Sequence, residues 1–171
     1  MKRLICCFAF LGLLLGSLSA QEKCWYSLTQ DTRFSRMPGE ESVFSMAFAV
    51  APGCTFANGL SLRLPLDVEV FMSQGKLIKT YEQTGTLGLG VGYNLVDGQR
   101  SRLELSLAGG STYIRTSMNY AYADLGLRYG AKYFGKVTPY MSIGGRYLSY
   151  YKSTDLKDQM GIYLTFGIWF F

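Results

Sequence analysis

Histidine is absent from the 171-residue chain, and cysteine occurs only four times. The first absence removes the commonest metal ligand and the usual general base at neutral pH. No CxxC spacing occurs, so no zinc, haem or other cofactor site is expected. Serine and aspartate alone lack a recognisable base, so catalysis is not expected either. An excess of one charge is also missing: the formal net charge is +5 and falls to +3 when Lys2 and Arg3 leave with the leader described next. So weak a balance, spread so evenly, argues against nucleic acid as a partner.

Residues 1–20, MKRLICCFAFLGLLLGSLSA, open with two cations, run apolar from Leu4 to Leu15 and end on small residues. That is the layout of a secretory signal peptide; as a membrane helix the segment is short and lacks a stop-transfer flank, and a retained anchor is the alternative. Residues 21–171 then form one domain. Cys6 and Cys7 belong to the leader, so Cys24 and Cys54 remain. In an exported chain they form either one disulfide or two separately buried thiols.

What is abundant is alternation. LSLRLPLDVEVFM (60–72) places Leu60, Leu62, Leu64, Leu66, Val68, Val70 and Met72 on one face. Helical spacing cannot gather these residues on one side, whereas a strand does. The same period of two runs through 84–96, 102–114, 122–134, 140–151 and 161–171, and through SVFSMAFAVA (42–51). CWYSLTQDTRF (24–34) is a weaker strand of ambiguous facing. The count comes to eight, an all-β, eight-stranded antiparallel barrel with up-and-down meander order, each strand long enough to span a membrane when tilted. Pro65 lacks a ladder donor in mid-strand, which predicts a bulge. VDGQRS (96–101) and FGKVTP (134–139) read as tight turns. AVAPGCTFANG (49–59) belongs with them by alternation, although it is as long as the other links, and that placement sets Cys54 at the same rim as Cys24.

Two architectures share this period and bury opposite faces: a calycin-like soluble ligand-binding barrel, and a transmembrane barrel with a polar interior. The polar face decides between them. It is largely Gly, Ser, Thr and Ala, which suit a crowded lumen, rather than the Lys and Glu of a wetted surface. Its charges are Arg63, Arg102, Arg128, Lys132 and Arg146 against Asp67, Glu69, Glu104 and Asp124. In a narrow lumen they are expected to pair, with Arg63, Glu69, Glu104, Arg128 and Arg146 in one contiguous network. Tyr26, Tyr81, Tyr133, Tyr150 and Tyr151 near strand ends suit interfacial girdles.

The last stretch, GIYLTFGIWFF, carries aromatics to its final residue. It resembles the C-terminal insertion signal of bacterial outer-membrane barrels, with Phe171 terminal, Trp169 two before it and Tyr163 eight before it. Ile162, Leu164, Phe166, Ile168 and Phe170 form the other face, and the sequence leaves open which face meets lipid. In layout the domain resembles small OmpA-like, OmpX-like or OmpW-like barrels. That resemblance implies residence in the bacterial outer membrane, contact with its lipid, and recognition by the barrel assembly machinery. Membrane enzymes of similar size use histidine, which this chain lacks. Two roles stay in view: a non-enzymatic scaffold, possible surface partners meeting its loops, and a small channel or conduit for apolar solutes.

Overall fold

The computed structural model describes residues 24–38, 42–73, 82–114, 118–132, 135–151 and 157–171. Residues 1–23, which include the expected leader, and Tyr81 and Tyr133 lie outside them. The described residues are organised as β1 (Cys24–Met37), β2 (Val43–Phe56), β3 (Leu60–Arg63), β4 (Leu66–Ser73), β5 (Glu82–Asp97), β6 (Ser101–Thr112), β7 (Tyr120–Ala131), β8 (Val137–Tyr150) and β9 (Gln159–Phe170). Neighbours in sequence other than β3 and β4 pair antiparallel, β3 and β4 each pair with β2 and β5, and β1 pairs with both β2 and β9, so the sheet closes on itself. Among the described strands, closure gives each crossing a neighbour on both sides, which a bilayer demands.

β3 and β4 are halves of one crossing, so nine segments make eight staves. The expected bulge at Pro65 is not there. Gly53 faces Arg63 and Val50 faces Leu66, three steps apart on both strands, and the same holds for Gly90 and Leu87 of β5. The register therefore runs through the gap unshifted. Two prolines explain the interruption: Leu64 N–H donates to Pro52 and Gly88 N–H to Pro65, at 2.9 and 3.0 Å, but neither proline can return a bond. The bulge lies elsewhere, at Leu95 of β5, where pairing with β6 shifts between Asn94 and Val96.

The link assigned to 49–59 is mostly strand. β2 runs to Phe56, and the turn is only Ala57–Gly59, closed by Gly59 N–H to Phe56 at 3.0 Å with Gly59 at φ 85°. A side chain at that φ would be strained, which is why glycine serves there. The turn lies at the same rim as Cys24, and Cys24 and Cys54 are joined by a disulfide with Cα atoms 6.0 Å apart. Mass analysis of non-reduced peptides should recover Cys24 linked to Cys54; two alkylatable thiols in the folded protein would contradict the pairing.

The two faces segregate as a membrane solvent requires. Leu89, Leu107, Leu125, Ile143, Ile162 and Phe166 stand on the outside, each half or more exposed. Ser27, Thr29, Ser45, Thr84, Thr86 and Ser142 are buried inside together with Asp31, Arg33, Arg63, Asp67, Glu69, Arg102, Glu104, Asp124 and Arg146, so a calycin-like apolar interior is excluded. Tyr26, Tyr93, Tyr129 and Phe170 are exposed near the turn-side rim, and Phe44, Tyr113 and Tyr147 near the loop-side rim. Tyr151 is exposed at the end of β8, but Tyr150 is buried in the lumen and belongs to no girdle.

Candidate functional site: the charged lumen

Each strand delivers every second residue to the interior, and strand register sets the height at which these residues meet. At the loop-side end the lumen is closed by an apolar cluster of Met37, Val43, Phe71, Tyr120, Leu148 and Tyr150, with Met118 and Tyr122. Tyr120 packs edge-on against Phe71 at 5.5 Å and Tyr150 at 6.0 Å. Phe71 falls on the polar parity of β4. A polar-face reading of this strand alone does not anticipate an apolar cap.

Below the cap lies a first ionic cluster. Arg33 reaches Asp67 at 2.8 Å, Asp124 at 3.2 Å and Glu69 at 3.7 Å, while Arg146 reaches Glu69 at 3.0 Å and Asp124 at 3.4 Å. Glu69 has no exposure and is further satisfied by the hydroxyls of Ser45 and Tyr120, at 2.6 and 2.7 Å. Tyr122 stacks its ring 4.9 Å from the Arg146 guanidinium.

A second cluster lies toward the turns. Glu104, also without exposure, is paired with Arg63 and lies 3.6 Å from Arg102 and 3.9 Å from Arg128. Ser61 donates to it at 3.2 Å. Arg63 and Arg102 stack over Trp169 at 5.3 and 4.8 Å. Glycine makes room for this cluster: a Cβ on Gly92 would lie 2.5 Å from the Glu104 carboxylate carbon. Between the clusters the Tyr140 hydroxyl donates to Asp31, and its ring lies 5.5 Å from Arg128.

The single network expected over Arg63, Glu69, Glu104, Arg128 and Arg146 is therefore divided. Glu69 and Arg146 join Asp67 and Asp124 near the cap; Arg63, Glu104 and Arg128 join Arg102 near the turns. Among the described residues no ion pair connects the two groups. Lys132 is not in the lumen network: it sits at the turn-side rim, paired with Asp97 and donating to the Gly98 carbonyl at 3.1 Å. Asp31 and Arg33 complete the interior, where five arginines now face five carboxylates. Sequence reasoning missed both because β1 carries no continuous apolar stripe. The signal was nevertheless present, since Leu28 and Phe34 share one parity and leave Ser27, Thr29, Asp31, Arg33 and Ser35 on the other.

Tyr163 and Trp169 point inward and are buried, while Ile162, Leu164, Phe166, Ile168 and Phe170 form the outer stripe of β9. The space left between the ionic clusters is a cavity of about 40 Å³, lined among others by Asp31, Arg33, Arg63, Asp67, Asp124 and Arg128. It is large enough for a few water molecules only. Unbonded polar atoms of this region, including Asp67 Oδ1, Arg33 Nε and Arg63 Nε, are natural partners for such waters.

A closed antiparallel sheet that is apolar outside and internally ion-paired is a transmembrane β-barrel. No family model matches the chain, and no curated protein matches it in sequence. Among solved structures it is similar to the crystal structure of Neisserial surface protein A (NspA), with a TM-score of 0.56 at 15% identity, over 87% of this chain and 99% of that one. At that identity the likeness is one of fold.

Proposed function

We propose that the protein is a non-enzymatic barrel of the bacterial outer membrane with a structural or surface-interaction role. The observation that carries this reading is the filled lumen: among the described residues, an apolar cap, two ionic clusters and, between them, a cavity of about 40 Å³. Ion pairs engage Asp67, Glu69, Glu104 and Asp124 across the lumen. The likeness to a protein titled as a surface protein supports the same direction. Under this reading outer-membrane lipid surrounds the wall, the assembly machinery recognises β9, and the loops meet any surface partner. Kinship with OmpA-like, OmpX-like or OmpW-like barrels is part of the proposal.

Purified protein in planar bilayers should accordingly show little steady conductance. A continuous water path would have to break both ionic clusters and part the cap, and each charge so separated loses a partner in a poorly hydrated space. Large, stable single-channel steps in the wild type would replace the scaffold reading with that of a small channel.

A further inference from the structure

The lumen charge is shared unevenly between its two ends. The loop-side cluster sets two guanidiniums against three carboxylates, whereas Arg63, Arg102 and Arg128 converge on Glu104 alone. Beyond this basic cluster the barrel opens, at its turn-side mouth, into a vestibule of about 450 Å³. Its walls include Arg102, Lys132 and Lys136 together with the rings of Trp25, Phe56 and Phe171.

Arg102 is built into this vestibule rather than lying on its surface. It is 3% exposed, its Nε donates to Asn94 at 2.6 Å, and its Nη2 lies 3.6 Å from the Glu104 carboxylate. Trp169 at 4.8 Å and Phe171 at 5.5 Å hold the guanidinium in place. Asp97 is engaged by Lys132, and Lys136 stands exposed beside it. Two lysines and three aromatic rings, backed by the Arg102 guanidinium at the inner wall, surround a space of small-molecule size and form a receptor for negative charge joined to apolar surface.

We propose that the turn-side vestibule binds an organic anion, a phosphate or carboxylate group carried on an apolar body. Lys132 and Lys136 take the charge, Arg102 adds its positive field from the inner wall, and Trp25 and Phe171 cover the body. The same chemistry is offered by a soluble amphiphilic anion and by the headgroup of an anionic phospholipid at the membrane interface.

Both tryptophans of the chain are at this site, Trp25 in its wall and Trp169 against Arg102, so intrinsic fluorescence reads its occupancy. Full-length mature protein folded in zwitterionic detergent is titrated with phenyl phosphate, and protein in phosphatidylglycerol nanodiscs is compared with protein in phosphatidylcholine nanodiscs. A saturable response to phenyl phosphate is expected, its midpoint rising roughly tenfold in Lys136→Gln and further in Lys132→Gln/Lys136→Gln, and rising with salt. These substitutions are at the rim and leave the ladder intact; heat-modifiable migration verifies that each variant is folded. A response confined to phosphatidylglycerol, lost in the double variant, assigns the headgroup as the source of the anion; a response to phenyl phosphate assigns a soluble one. Silence toward both, an equal response to uncharged phenol, or an unchanged midpoint in the double variant overturns the site. None of these outcomes depends on whether the lumen conducts.

Discussion

Glu104→Ala should destabilise the folded barrel by about 3 to 5 kcal/mol, the cost of leaving buried charge without its partner. Three guanidiniums converge on this one carboxylate, which has no exposure. Removing it turns mutual attraction among four groups into repulsion among three. Arg128→Ala should cost distinctly less, because Glu104 keeps Arg63 and Arg102 and because Arg128 is the most distant of the three at 3.9 Å. Adding Arg63→Ala to Glu104→Ala should recover part of the loss, a coupling expected of residues in one network. Urea unfolding of the refolded protein in detergent, followed by tryptophan emission, measures all three variants against the wild type. Equal stability of Glu104→Ala and wild type would mean that the cluster is solvated, and would undo the filled lumen on which the scaffold reading rests.

Deleting Trp169–Phe171 should abolish the folded barrel altogether. Trp169 and Phe170 pair with Thr29 and Leu28 of β1 on one side and with Thr138 and Val137 of β8 on the other. Without them the seam opens at the turn-side end, and two strand edges face hydrocarbon with unbonded N–H and C=O groups. The deletion also removes a side chain that is 1% exposed, stacked 4.7 Å from Tyr140 and lying under two arginines. Trp169→Ala separates these effects. It retains the ladder and should still fold, with a loss of about 3 to 5 kcal/mol typical of a large aromatic removed from a packed interior. Migration of unboiled protein, from cells and after refolding in detergent, reads both variants. Truncated protein that refolds in detergent but fails to assemble in cells would place the defect in recognition by the assembly machinery; normal outer-membrane levels would contradict the expectation outright.

The strands, their number and the faces of most of them were legible in the sequence. Leu66, Val68, Val70 and Met72 alternate with Asp67, Glu69 and Phe71, and the structure sends the first set outward and the second inward. Small residues on the inner face had a readable purpose as well, since Gly88 and Gly92 lie where a Cβ would strike Tyr122 and Glu104. The misreadings share a cause. Pro52 and Gly53 looked like a turn because they are turn residues, but Pro52 sits where only one bond of a ladder pair is lost, and β2 continues past it. Lys132 followed the inward parity of β7 but lies just beyond that strand's end, where alternation no longer governs and a rim carboxylate is in reach.

Alternation is a property of each strand's own backbone, so the sequence by itself determined that apolar residues would line one surface and charges the other. It also determined that the charges would be nearly balanced, since composition does not depend on folding. Which charges meet was decided only by the tertiary structure. Arg33 and Asp124 are 91 positions apart and belong to strands that are not neighbours, yet they approach to 3.2 Å across the lumen. Their encounter depends on ring closure and on the stagger accumulated from strand to strand around the barrel. No local pattern encodes that sum, so one expected network became two clusters, an acidic one beneath the cap and a basic one at the open mouth.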